Sequence, residues 1–234
     1  MNGDPTLQQR YETVLARICA ACGAAARAPD AVSLLAVSKT FDASAVLALA
    51  ALGQRAFAES YLQEALDKIS RCASERPDPA LEWHFIGPIQ SNKTRPIAET
   101  FSWVHSVERD KIARRLSEQR PASLPPLNVC VQVNVSGEAS KSSCAPDEAL
   151  DLARAVAALP GLRLRGVMAI PEPTDDAARQ RAQFAAVRAV FDRLRAAGLD
   201  VDTLSMGMSD DLEAAIAEGS TCVRVGTALF GRRG

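Results

Sequence analysis

The chain has 234 residues, a net charge of −1 and an apolar fraction of 47%, enough for one large domain or two small ones around a sizeable core. So balanced a charge gives no electrostatic reason to expect nucleic acid or an anionic membrane as a partner. No apolar run nears the roughly 20 residues of a membrane span, and Met1–Pro5 lacks the basic and apolar regions of a signal peptide, so a cytoplasmic location is expected.

Asp4-Pro5 reads as an N-cap with proline at the first helical position. Leu7, Tyr11, Val14, Leu15, Ile18 and Cys22 then recur at helical spacing as far as Gly23. Cys19-Ala20-Ala21-Cys22 falls late in that helix with no second pair, and the other cysteines have no ligand spacing. Packing residues are therefore expected there, and no metal site. A strand is predicted over 32–38, after which Asp42 caps a helix to Leu52. Ala56–Ala58 is a short second strand, and Leu62, Ala65, Leu66 and Ile69 mark one face of the next helix. Strands follow over 81–86, 102–105 and 127–135, with helices near 93–100, 108–119 and 146–159. The sixth strand, 162–168, leads to a long helix capped by Thr174 and ended by Gly198. The seventh, 201–204, leads to a helix capped by Ser209 with acidic residues in its first turn. The eighth is 221–225.

Strands alternating with helices mean parallel pairing through crossovers. Eight such units behind one extra N-terminal helix predict an α/β protein, a single (β/α)8 barrel domain over 1–234, rather than an open doubly wound sheet.

The working face of such a barrel is built from the loops after the strands. Lys39 stands there, after Leu34-Leu35-Ala36-Val37-Ser38. Of the five lysines it alone adjoins a segment that reads as buried, while Lys68, Lys93, Lys111 and Lys141 fall in segments that read as polar helices or loops. Lost solvation would lower its pKa from about 10.4 and give an amine nucleophile. A lysine that closes a strand and points to water is the plainer alternative. Barrel closure sets the last strand beside the first. Met206-Gly207-Met208-Ser209 and Arg224-Val225-Gly226-Thr227 then offer glycine backbone and hydroxyls where such barrels bind phosphate. Arg224 points inward if Val223 and Val225 pack outward, with an ion pair inside the barrel as its alternative role. An amine, a phosphate cradle and an arginine in one mouth point to pyridoxal 5′-phosphate, PLP. Arginine stays protonated and leaves the ring a weak electron sink, which disfavours transamination. Met168, Met206 and Met208 suit packing against a flat ring and equally suit core filling. His84 and His105 are expected to be core histidines satisfied by hydrogen bonds.

Five ordered segments carry a resemblance over nearly the whole chain: 34–40, Trp83–Lys93, Arg165–Pro171, Leu204–Ser209 and Gly219–Thr227. Through them the sequence resembles the YggS/PROSC family of PLP homeostasis proteins, whose fold is similar to the barrel domain of alanine racemase. The resemblance implies that Lys39 carries PLP as a Schiff base. It implies that Ser209, Gly226 and Thr227 hold the phosphate while Arg224 and Ser205 line the cofactor; Met208 and Met168 join the candidate set through their own places at strand ends. Where the family reads Gly-Glu-Asn-Tyr, this chain has Ala58-Glu59-Ser60-Tyr61, so Ser60 lacks the amide of the asparagine that reaches the cofactor. Lys141 matches a family position linked to a second PLP, and a solvent-facing lysine is the reading preferred for it.

The function so implied is PLP storage and delivery in the cytoplasm by a monomer without substantial turnover, with apo-PLP enzymes as recipients. The alternative is an amino-acid racemase. Racemisation needs acid/base groups on both faces of the substrate, and racemases of this fold take the second from a tyrosine of an added β domain. This sequence ends directly after its eighth strand, so that domain is expected to be absent. A barrel for another phosphorylated metabolite is a third reading.

Overall fold

Residues 5–75, 81–136 and 143–231 are described by the computed structural model. Eight apolar segments pair edge to edge, all parallel and in chain order: β1 Ser33–Val37, β2 Ala56–Glu59, β3 Glu82–Phe85, β4 Trp103–Val107, β5 Leu127–Gln132, β6 Leu162–Met168, β7 Thr203–Ser205 and β8 Cys222–Val225. The sheet closes on itself through β1 and β8, where Leu35 lies beside Arg224. The predicted barrel is therefore the observed one. Outside it lie α1 Leu7–Ala24, α2 Ala43–Ala51, α3 Leu62–Glu75, α4 Thr94–Thr100, α5 Asp110–Gln119, α6 Ala149–Ala157, α7 Ala177–Ala196 and α8 Leu212–Ala217. A four-residue α9, Thr227–Phe230, follows β8 and was not expected from the sequence.

The two-residue period of each strand sorts its side chains. Leu34, Ala36, Phe57, Val129, Val131, Val223 and Val225 join the helices in one large apolar core. Each large side chain buried there contributes about 1.5–3 kcal/mol. Leu35, Val37, Ala58 and Cys222 form a much smaller cluster, the inward set. Gly166 lets β6 and β7 approach closely: its φ is +151°, and a Cβ there would lie 1.9 Å from the Thr203 carbonyl oxygen.

Several helix ends depart from expectation. Helix α1 starts on a capping box in which Thr6 and Gln9 satisfy each other's backbone N–H groups, and it runs through Gly23 to Ala24. The cap of α7 is Asp176, whose carboxylate accepts from Ala178 and Arg179, while Thr174 accepts only from the Asp176 N–H. Ser209 does not cap α8. The Asp211 carboxylate accepts the Met208 N–H in a tight turn, and α8 begins three residues after Ser209. The buried stripe of α3 is Ala65, Lys68 and Cys72, rotated from the apolar face the sequence displays. Lys68 is thus not a solvated lysine but is 5% exposed. Among the described residues no helix is long and apolar enough to cross a membrane, and no group of three or more His, Cys, Asp or Glu side chains is placed to hold a metal ion.

Candidate functional site

Leu35 and Val37 face the barrel interior, so the next inward position on the same chain is Lys39. It is half-buried and lines a cavity of about 270 Å³ at the C-terminal mouth. Ser60 enters from the loop after β2. Met208 and Ser209 come from the loop after β7, and Arg224, Gly226 and Thr227 from the end of β8. Gly207 turns the β7 loop with φ +95°, and a Cβ there would meet that of Ala215 at 2.5 Å. The Ser209 hydroxyl accepts the Ala228 N–H at 3.4 Å, which ties the two phosphate-type loops together. The expected residues thus converge on one cavity, with two exceptions. Ser205 and Met168 are fully buried and lie outside its lining. Lys141 lies outside the described residues.

The lining also holds Phe41, Ile86, Ile170 and Asp210, which the sequence reading did not single out. Ile86 and Ile170 stand two positions beyond the inward His84 and Met168, so the strand period carried past the strand ends would have found both. Phe41 is held by stacking on Phe230, with centroids 4.8 Å apart. The backbone at Thr40 has φ +70°, a left-handed conformation that costs a β-branched residue on the order of 1–3 kcal/mol.

Arg224 points inward as expected and is 3% exposed. Its Nη1 donates to the Ser205 carbonyl at 2.7 Å and to Ser205 Oγ at 2.8 Å, and its Nη2 donates to the Ala169 carbonyl at 2.8 Å. None of these partners is a carboxylate, so the ion pair considered for Arg224 is not what holds it. Burial pushes its pKa down, yet a guanidinium stays protonated at neutral pH.

Below Arg224 a polar chain runs down the barrel. Ser205 Oγ meets His105 Nδ1 at 2.9 Å, His105 Nε2 meets His84 Nδ1 at 2.9 Å, and His84 Nε2 meets Glu82 Oε1 at 2.8 Å. One tautomer assignment satisfies every link with both imidazoles neutral. Arg224 donates to Ser205, whose hydroxyl donates to His105; His105 Nε2–H donates to His84, and His84 Nε2–H donates to Glu82. Burial drives both histidines toward the neutral form, His105 well below the usual value, where the charge of Arg224 adds to the effect. The two histidines are core residues satisfied by hydrogen bonds, as expected.

These residues fit PLP on physical grounds. An aldehyde-bearing, phosphorylated pyridine needs an amine, an anion cradle, apolar walls and a polar group for the ring. The lining supplies Lys39, the hydroxyls of Ser209 and Thr227 with the Gly226 backbone, the side chains of Val37, Ile86, Ile170 and Met208, and Arg224. A buried cation without a contacting carboxylate among the described residues is costly alone and favours an anionic ligand.

Comparison with known proteins agrees with the fold and with the family resemblance. The alanine racemase N-terminal domain family model matches residues 22–234. A pyridoxal phosphate homeostasis protein of Pseudomonas aeruginosa is 64% identical over 228 residues, covering 97% of this chain and 96% of the relative. The Escherichia coli K12 protein of the same name is 53% identical over 217 residues, covering 93% and 92%. PipY of Synechococcus elongatus, solved with PLP bound, superposes with a TM-score of 0.82 at 33% identity, covering 97% of this chain and 100% of PipY. With eight closed parallel strands, the mouth residues in place and relatives matched nearly end to end, the chain belongs to the pyridoxal phosphate homeostasis protein family, on the alanine racemase N-terminal domain fold.

Proposed function

We propose that the protein binds PLP at the barrel mouth and serves PLP homeostasis, holding the cofactor reversibly through Lys39 and releasing it to apo-enzymes. The observation that carries this reading is the convergence of Lys39, Ser209, Gly226, Thr227 and Arg224 on one cavity. Lys39 would hold the cofactor through its Nζ amine, and the reversible reaction of an aldehyde with an amine is the chemistry that PLP would supply for both capture and release. Ser209, Thr227 and the Gly226 backbone bind the phosphate, and Arg224 faces the ring. Ser205 and Met168 act from below the cavity floor, Ser205 by orienting Arg224 and Met168 by packing. The six cysteines are all free thiols, which suits a reducing cytosol.

The same geometry supports a carrier rather than a racemase. A racemase needs a second acid/base opposite the lysine. Tyr61 is 54% exposed and Tyr11 bonds Gln54 on the helix side, so neither tyrosine lines the cavity. Asp210, the carboxylate in the lining, adjoins Ser209 at the proposed phosphate end. The test is transfer of PLP from loaded protein to an apo-enzyme, alongside an alanine racemisation assay. Transfer that Lys39→Ala abolishes, without steady racemisation, is expected. Steady racemisation by the purified protein would overturn the carrier reading.

A further inference from the structure

Behind Lys39, on the helix side of the sheet, lies a buried charge cluster that the cofactor chemistry does not use. Lys68 Nζ has three contacts: the Ser38 carbonyl at 2.8 Å, Glu59 Oε1 at 2.7 Å and Glu64 Oε1 at 2.9 Å. That matches the three donors of an ammonium group. Glu64 Oε1 also accepts the Thr40 N–H at 2.6 Å, and Glu59 Oε1 accepts the Ser38 hydroxyl at 2.6 Å. The Ser38 carbonyl belongs to the peptide unit before Lys39, and the Thr40 N–H to the one after it. Both peptide planes that define the backbone of Lys39 are therefore tied to the same ammonium–carboxylate cluster.

Stability alone explains this cluster poorly. The Lys68–Glu59 pair is almost wholly buried, with side chains 4% and 0% exposed, and such pairs often stabilise no more than apolar residues of similar shape. Glu59 Oε2 is buried without a hydrogen-bond partner, a further cost. What the cluster does hold is a loop with a left-handed Thr40, a conformation that persists only where its surroundings over-determine it.

We infer that Lys68, Glu64 and Glu59 are positioning residues that clamp both peptide planes of Lys39 and so fix the direction and reactivity of its amine. The inference rests on the PLP reading for the role of Lys39, but the clamp can be tested without the cofactor. Glu64 is the residue to change, because its side chain is 34% exposed and its loss threatens folding less than loss of Lys68 does. Amide hydrogen exchange on the apo-protein should show Thr40 protected in wild type. The same site should exchange about tenfold or more faster in Glu64→Ala, and Glu64→Gln, which keeps an acceptor oxygen, should restore protection. Reductive trapping of Lys39 by PLP and cyanoborohydride, followed by peptide mass, should slow about tenfold in Glu64→Ala. Trapping of Lys93 and Lys111 should not change, and Glu64→Gln should recover the Lys39 rate.

Wild-type exchange at Thr40 in Glu64→Ala would overturn the clamp. So would lost protection with an unchanged trapping rate at Lys39. If wild type itself is not trapped at Lys39, the PLP reading falls and the exchange result alone upholds or overturns the clamp.

Discussion

The two ends of the barrel are both polar, and they are polar in opposite ways. At the N-terminal end a cavity of about 250 Å³ is lined by Glu82, His84, Trp103 and Arg165 among others. Its charged groups are matched within the chain. Arg165 pairs with Asp202 at 2.6 Å, bonds Asn128 at 2.9 Å and stacks over Trp103 at 4.5 Å, while His84 bonds Glu82. At the C-terminal end Arg224 is a buried cation whose hydrogen-bond partners are neutral oxygens. A satisfied polar network specifies a fold, whereas a buried cation bonded only to neutral oxygens, beside hydroxyls, glycine loops and a lysine, suits a ligand. Size does not separate the two cavities; the partners of their charged groups do.

That contrast breaks first at Arg224. Replacing it with Gln should weaken PLP retention by about 2–5 kcal/mol, roughly 30-fold or more, since a buried charged partner is lost. Equilibrium dialysis against PLP measures it, and a change below threefold would mean that the charge serves the fold rather than the ligand. Next come the cradle hydroxyls. Ser209→Ala and Thr227→Val should each cost about 1.5–3 kcal/mol of PLP affinity, the worth of a hydrogen bond to a charged group. The same pair should leave the affinity for pyridoxal, which has no phosphate, unchanged.

At the opposite end the expected effect is on stability. His105→Gln should cost about 1–3 kcal/mol by disrupting a buried chain while moving PLP affinity by less than the mouth variants do. It should also flatten the acid side of the stability profile. His84 and His105 have lowered pKa values in the fold, so below the unfolded value of about 6.5 the unfolded chain binds more protons. Stability is then full above that pH and falls as the pH drops toward the folded pKa values, by up to about 1.4 kcal/mol per unit for each histidine. Glu59, raised by burial against the pull of Lys68 and Ser38, works with the opposite sign, so the difference between wild type and variant is the quantity to read. Urea midpoints between pH 7.5 and 5.5 give it directly. The smallest effect belongs to Ser60, which lines the mouth. Ser60→Asn supplies the amide that the family resemblance places there, and it should tighten PLP by about 1 kcal/mol or less.

How much of this was legible in the sequence depended on which period governed each residue. The strands were plain because apolar runs alternate with helical patterns eight times, and β6 appears at its expected bounds. Lys39 and Arg224 were legible because a two-residue period projects them inward from runs whose burial is unambiguous. Lys68 was not. It sits on α3 among charged neighbours, and the apolar spacing of Leu62, Ala65, Leu66 and Ile69 points to a face that shares Ala65 with the buried stripe but is rotated away from Lys68. Only its carboxylate partners, one of them on a different element, make its burial tolerable, and such pairing is invisible until the chain folds. Ser209 lines the expected cavity, as the family resemblance implies, but not as the helix cap that its spacing suggests, because the Asp211 turn delays α8. The polar chain from Ser205 to Glu82 joins three strands, β7, β4 and β3, and its links appear only on barrel closure.

The central claim, that Lys39 is the reversible anchor for PLP, is tested most directly by borohydride reduction of the PLP-loaded protein and peptide mass analysis. The account expects a phosphopyridoxyl group on Lys39 in near-stoichiometric yield, and none on the corresponding peptide of Lys39→Ala. An unmodified Lys39 in protein that retains PLP, or an adduct found only on another lysine, would contradict it.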